Sequence, residues 1–278
     1  MLSYRHSFHA GNFADLLKHI VLVEVLEHLC KKEKPFDYID THAGAGLYNL
    51  ASAEASKLVE YRNGIGRLIP SEWPQLARYF EVVNALNPEG GLRFYPGSPL
   101  IARQFLRARD NAWLYELHPE DVERLKGNTR GNRRIRVFCE DGLKGLQAHL
   151  PPASRRALVL IDPSYELKSD YEQVVKALQA AHRKFATGVY ALWYPVVERE
   201  RINQLETSLQ GSGIRNIQRF ELGLRADTEG RGMTASGMIL INPPWGLFDK
   251  LAGLLPKLAQ AVGEQGEGNY RCDTLVEE

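Results

Sequence analysis

The chain has 278 residues, 44% hydrophobic and 25% charged, with a formal net charge of +1; this excludes a histone-like polycation and makes any nucleic-acid surface local. That length suits one large α/β domain or two small ones. Three scattered cysteines, Cys30, Cys139 and Cys272, argue against a disulfide framework or a zinc ribbon, and no secretory signal or bilayer-length apolar run is visible, so we expect a soluble cytoplasmic protein.

Asn12 can cap a helix running to about Lys32, which Pro35 ends. Phe36–Ile39 is strand-like and runs into Asp40-Thr41-His42-Ala43-Gly44-Ala45-Gly46. From about 48 to 94 the strand–helix rhythm breaks. Its pieces, such as a helix over Trp73–Leu86, read as a small helical insertion rather than a second domain. A helix starts near Pro99, where Pro fits the first turn. Six more strands are expected, over Ala112–Tyr115, Ile135–Cys139, Leu158–Ile161, Gly188–Trp193, Ile217–Leu222 and Ser236–Ile241. Helices are expected over Tyr171–Phe185, Glu198–Leu209 and Phe248–Val262, and the Gly/Glu-rich stretch after about 263 reads as a loosely ordered tail. Alternating strands and helices imply a mostly parallel, seven-stranded, doubly wound sheet with helices on both faces. The expected organisation is a single domain over 1–278.

In such sheets ligands bind at the carboxyl ends of the strands. Four consecutive strands end at or near an acid: Asp40, Glu116, Asp141 and Asp162. The Gly44-x-Gly46 loop allows close backbone approach, although a tight strand-to-helix turn explains it too. Glu116 suits the two ribose hydroxyls of an adenosine-containing cofactor. Asp141 suits an adenine amino group, or simply caps the helix that begins at Gly142. A nicotinamide enzyme would carry a third glycine and an acid about 20 residues after it, and neither is present.

Asp162-Pro163-Ser164-Tyr165 carries the reaction type. The Asp162 carboxylate and the Pro163 carbonyl can accept the two N–H bonds of an exocyclic amine, and Tyr165 can stack on the base. A bare Asp-Pro turn is the alternative. The target must be single-stranded or flipped out, and S-adenosyl-L-methionine is the expected methyl donor. Asn242-Pro243-Pro244-Trp245 matches the amide-methylase pattern better letter by letter. It follows what should be an antiparallel last strand, however, and so should face away from the site. Tyr4-Arg5-His6-Ser7-Phe8-His9 suits stacking and phosphate contact. Arg103, Arg107, Arg109, Arg130, Arg133, Arg134 and Arg136 make either a phosphate-binding face or a solvated surface. No metal-ligand spacing is evident, and none is expected to be used.

Met1–Asn12, Asp40–Gly46, Tyr95–Gln104, Tyr190–Pro195 and Gly232–Met238 resemble the RlmJ family, over Met1 to about Trp245. The resemblance implies a Rossmann-like class I methyltransferase that methylates N6 of one adenine in 23S ribosomal RNA. It also implies cofactor contacts at His19, His42, Ser98, Glu116, Asp141 with Gly142, and Asp162, with Lys18 near the cofactor. By the same resemblance Asp162 is the catalytic acid and Tyr4 contacts the RNA; we place His6 beside Tyr4. The family's turn is Asp-Pro-Pro-Tyr, and Ser164 replaces its second proline. A monomer is expected. A DNA adenine-N6 methyltransferase, or a non-catalytic factor for using external DNA, is the alternative.

Overall fold

The computed structural model describes residues 5–228 and 232–278. Ten strands form in chain order: β1 (Asp37–Asp40), β2 (Leu47–Asn49), β3 (Phe94–Pro96), β4 (Asn111–Tyr115), β5 (Ile135–Phe138), β6 (Ala157–Ile161), β7 (Val189–Val196), β8 (Ile217–Gly223), β9 (Ala235–Ile241) and β10 (Asn269–Val276). The helices are α1 (Phe13–Cys30), α2 (Ala55–Leu58), α3 (Ala77–Asn84), α4 (Ser98–Arg103), α5 (Pro119–Asn128), α6 (Gly142–Gly145), α7 (Asp170–Lys184), α8 (Arg199–Gln210) and α9 (Leu247–Val262).

Eight strands make one sheet in the order β10-β8-β9-β7-β6-β1-β4-β5. The five strands from β7 to β5 are parallel, whereas β9 runs antiparallel to both β7 and β8. The order reverses beside β1, because the chain runs outward through β4 and β5 and then returns to β6 on the other side. The central strands are buried on both faces, so they read as unbroken apolar runs. On β6, Leu158 and Leu160 pack with α1 and α9, while Val159 and Ile161 pack with α7 and α8.

Helix α1 is buried almost all round, and the Asn12 side chain caps it by accepting from Ala14 N and Asp15 N, each at 3.0 Å. Three ionisable residues, Asp15, Lys18 and His19, are buried on its early turns.

Two expectations need correction. The sheet has eight strands rather than seven, and the stretch expected to be a loosely ordered tail supplies the eighth. β10 pairs antiparallel with β8 and places Arg271 opposite Glu221 and Asp273 opposite Arg219. Both cross-strand couples are ion pairs, which pin the register. As an edge strand it is half-exposed and charged, which hides it from hydrophobic patterning. The region expected to be helical from 48 to 94 is bracketed by the antiparallel pair β2–β3, with Tyr48 opposite Tyr95. Within it Pro74 sits in a short 3₁₀ turn, so the helix begins at Ala77 rather than Trp73.

Candidate active site

Strands β1, β4, β5 and β6 finish side by side and bring Asp40, Glu116, Asp141 and Asp162 to one rim. Two adjoining clefts open there, of about 250 and 340 Å³. They share a wall made by His6, Lys18, Asp162, Ser164, Glu166 and Trp193.

The smaller cleft gathers Lys18, His19, His42, Ser98, Glu116, Asp141, Asp162 and Pro163. Glu116 accepts from Gly44 N at 2.8 Å through one carboxylate oxygen and from His118 N at 2.7 Å through the other. Burial raises its pKa, against those two amides. Each oxygen keeps a lone pair for a further donor. Asp40 is fully buried and accepts from Ser98 Oγ and Tyr38 Oη, both at 2.7 Å. Burial pushes its pKa up to about 6, with the two hydroxyls opposing. The Ser98 hydroxyl is therefore donated to Asp40. Burial lowers His42 to about 4 and His19 to about 3, so both imidazoles are neutral at pH 7. His19 Nδ1 lies 2.9 Å from the Tyr95 hydroxyl, which meets Tyr79 at 3.0 Å.

Asp141 takes the helix-capping role read for it and also stands at the cleft. Its Oδ1 caps α6 through Leu143 N at 3.0 Å and Lys144 N at 3.3 Å. Gly44 and Gly142 stand behind the cleft wall rather than in it. Gly142 lets α6 approach the end of β1: a Cβ there would lie 2.1 Å from the Thr41 carbonyl oxygen.

The larger cleft has aromatic sides. Tyr165 holds φ at +53°, a left-handed conformation that costs of order 1 kcal/mol or more and tends to persist at functional sites. Its hydroxyl donates to the Trp193 carbonyl at 2.8 Å, and its ring lies 4.4 Å from Tyr171 and 6.1 Å from Trp193. Between the clefts, Lys18 Nζ bridges Asp162 Oδ2 at 2.6 Å and Asp15 Oδ1 at 2.9 Å. It also sits 5.5 Å from the Trp193 ring. Burial raises the Asp162 pKa, and Lys18 opposes that. Oδ1 of Asp162 has no hydrogen-bond donor among the described residues.

Sequence reasoning missed Asp15. It is 1% exposed, and its Oδ2 takes Gly11 N and the His6 ring, each at 2.9 Å. The available signal was Asp-x-x-Lys-His inside an otherwise apolar helix, since buried charges are kept only when paired. Tyr4 lies outside the described residues. Asn242 sits at the opposite rim, where its side chain donates to the Ala186 and Gly188 carbonyls, each at 2.8 Å. Trp245 beside it is 95% exposed. Arg103 and Arg107 are tied to backbone carbonyls and Asp110, which counts against the phosphate-binding alternative for these two.

A parallel sheet that reverses beside β1, carries an antiparallel β9 and ends its central strands in acids is the Rossmann-like methyltransferase fold. Residues 33–276 match the family model described as ribosomal RNA large subunit methyltransferase D, RlmJ. The chain is 49% identical to the ribosomal RNA large subunit methyltransferase J of Haemophilus influenzae and to that of Escherichia coli, each alignment covering all of both chains. A crystal structure from Legionella pneumophila, 35% identical, superposes with a TM-score of 0.87 over 96% of this chain and 98% of that one. The chain belongs to the RlmJ family.

Glu116→Gln is expected to raise the Kd for S-adenosylmethionine about tenfold, because hydrogen bonds to a charged acceptor are worth about 1.5–3 kcal/mol and the new amide NH₂ would face a backbone N–H. Titration calorimetry with the folded variant reads this; an unchanged Kd would rule out the expectation that Glu116 contacts the cofactor.

Proposed function

We propose that this chain transfers the methyl group of S-adenosylmethionine to N6 of an adenine in 23S ribosomal RNA, acting as a cytoplasmic monomer. The observation that carries this is the placement of Asp162: one oxygen is held by Lys18, the other has no donor among the described residues, and the carboxylate stands where the two clefts meet.

The residues of the smaller cleft fit the cofactor. Glu116 offers two acceptor oxygens for ribose hydroxyls, and Asp141 offers an acceptor for the adenine amino group. The neutral His19 and His42 add no positive charge beside the sulfonium. When bound, S-adenosylmethionine supplies an electrophilic methyl. The chain's own work lies on the amine. Asp162 Oδ1 and the Pro163 carbonyl accept its two N–H bonds and aim the nitrogen lone pair, which is otherwise delocalised into the ring. As the methyl passes from sulfur to that nitrogen, leaving a neutral thioether, the Asp162 carboxylate stabilises the positive charge that grows there and accepts the N–H proton that the methylated amine sheds. Lys18 fixes the carboxylate, and Tyr165 offers a ring against which a flipped base can stack. Ser164 leaves the Pro163 carbonyl in place.

The test is transfer of labelled methyl to unmodified 23S RNA, with duplex DNA in parallel. Label on RNA that depends on Asp162 is the expected result. Label on DNA alone would replace the RNA reading with a DNA one. Tight cofactor binding with no label on either would overturn both.

A further inference from the structure

We propose that the amino-terminal rim of the sheet, opposite the two clefts, is a second RNA-contacting surface that grips phosphates of the ribosomal RNA outside the methylated nucleotide. This rests on the proposed action on ribosomal RNA.

The topology makes the surface. β6, β1, β4 and β5 are parallel neighbours, so the loops that precede them, residues 150–156, 31–36, 104–110 and 129–134, emerge along one rim. Those loops hold ten Lys and Arg and two acids, in a chain with 35 and 34 of each. One of the two acids, Asp110, is buried and consumed by Arg107, which leaves Glu33. With a whole-chain charge of only +1, the rim is the local basic surface that the composition demanded of any nucleic-acid binder.

Structural duties account for only part of this charge. Helices α1 and α5 end at the rim, and cations near a helix carboxyl end gain about 0.3–1 kcal/mol each, which explains Lys31, Lys32 and Arg130. Arg107 and Arg156 both donate to the Lys34 carbonyl and fix the loop before β1. Arg109, Arg133 and Arg155 have no such role. All three are exposed and have no ionic partner among the described residues. Arg155 also holds a left-handed φ of +54°, a conformation in which glycine or asparagine would sit with less strain.

Arg155, Arg109 and Arg133 precede β6, β4 and β5 along the rim, with Glu33 and the buried Asp37 on the β1 segment between the first two. Asp37 is occupied by Ser154 and Trp113, and the three forked guanidiniums match phosphate oxygens. Phosphate contacts of this kind set register without reading sequence. The rim lies one strand length from the clefts, roughly 15 Å at 3.3 Å per residue. On the edge strand β5, Arg136 is exposed over the Trp113 ring at 4.6 Å and extends the basic surface up that edge towards the clefts. A short substrate would not extend from the clefts to the rim.

The experiment combines Arg109→Glu, Arg133→Glu and Arg155→Glu, with Tm measured to confirm folding. Methyl transfer and filter binding are followed on full-length unmodified 23S RNA and on a short fragment of it containing the target adenine. For the long RNA we expect KM to rise about tenfold or more, and the salt dependence of binding to flatten by about one for each phosphate no longer gripped. The kcat, the Kd for S-adenosylmethionine and all values for the short fragment should stay unchanged. Unaltered binding of the long RNA would overturn the proposal, as would equal losses on both RNAs, which place the effect at the clefts. If wild type methylates neither RNA, the functional reading fails, while the binding comparison still decides the surface.

Discussion

Asp162→Ala should leave a folded protein whose methyl transfer is at least about 10³-fold slower, the upper range for removing one preorganised charge partner of a transition state. The size follows from what the carboxylate does. On the proposed mechanism it accepts an amine N–H, orients the lone pair, and faces the nitrogen on which positive charge develops. Asp162→Asn keeps the shape and still accepts from Lys18, but it loses the charge. It should therefore lose most of the rate as well, which separates electrostatics from positioning. The fold survives because Lys18 keeps its 2.9 Å contact with the buried Asp15 and is not stranded as an unpaired charge. Single-turnover transfer with cofactor and RNA both saturating measures this. A rate within tenfold of wild type in the alanine variant would end the assignment of Asp162.

The strand-end acids were readable in the sequence because the central strands are buried on both faces. Leu158-Val159-Leu160-Ile161 has nowhere to place a polar residue until the strand leaves the core at Asp162. Tyr38-Ile39 is equally buried before Asp40, which stays inside because the Ser98 and Tyr38 hydroxyls donate to it. Parallel pairing then carries those endings to one rim, so a pattern spread from Asp40 to Asp162 becomes local. What stayed hidden had other physical causes. β10 is held by Arg219, Asp273, Glu221 and Arg271, and charged cross-strand pairs look like solvent-facing loop in a hydrophobicity profile. The occupation of Ser98 by Asp40, and of Gly44 N by Glu116, depends on packing between segments 58 and 72 residues apart. Asn242-Pro243-Pro244-Trp245 could be set aside only by strand direction, since its letters were the better match. Asp15 stayed hidden for a different reason: its helix is apolar nearly all round, and helical periodicity brings out the apolar stripe rather than the buried exceptions within it.

Those exceptions set the other large effect. Asp15→Asn should lower kcat about 10²-fold, the scale of a roughly 1 Å misplacement of reacting groups, while the Kd for S-adenosylmethionine changes little. Asp15 lines the larger cleft and not the smaller one; in this proposal it works by dividing the pull on Lys18. The ammonium is shared between two carboxylates, at 2.9 Å from Asp15 and 2.6 Å from Asp162, and on the proposed mechanism this sharing leaves Asp162 Oδ1 to the substrate. Without the Asp15 charge, Lys18 keeps Asp162 as its carboxylate partner and can turn towards that residue's second oxygen, and the His6 ring loses its charged partner at 2.9 Å. The pH profile tells this role from simple loss of stability. Burial chiefly raises the Asp162 pKa, and the neighbouring Asp15 charge adds to the rise. Since Asp162 must be ionised to accept the amine, removing that charge moves the acidic limb of kcat to lower pH even as the plateau drops. A scaffolding residue would lower Tm and leave the limb where it was. Asp15→Asn with a lower Tm but an unshifted limb and a normal plateau would sink the positioning role and make the triad Asp15–Lys18–Asp162 a packing feature of α1.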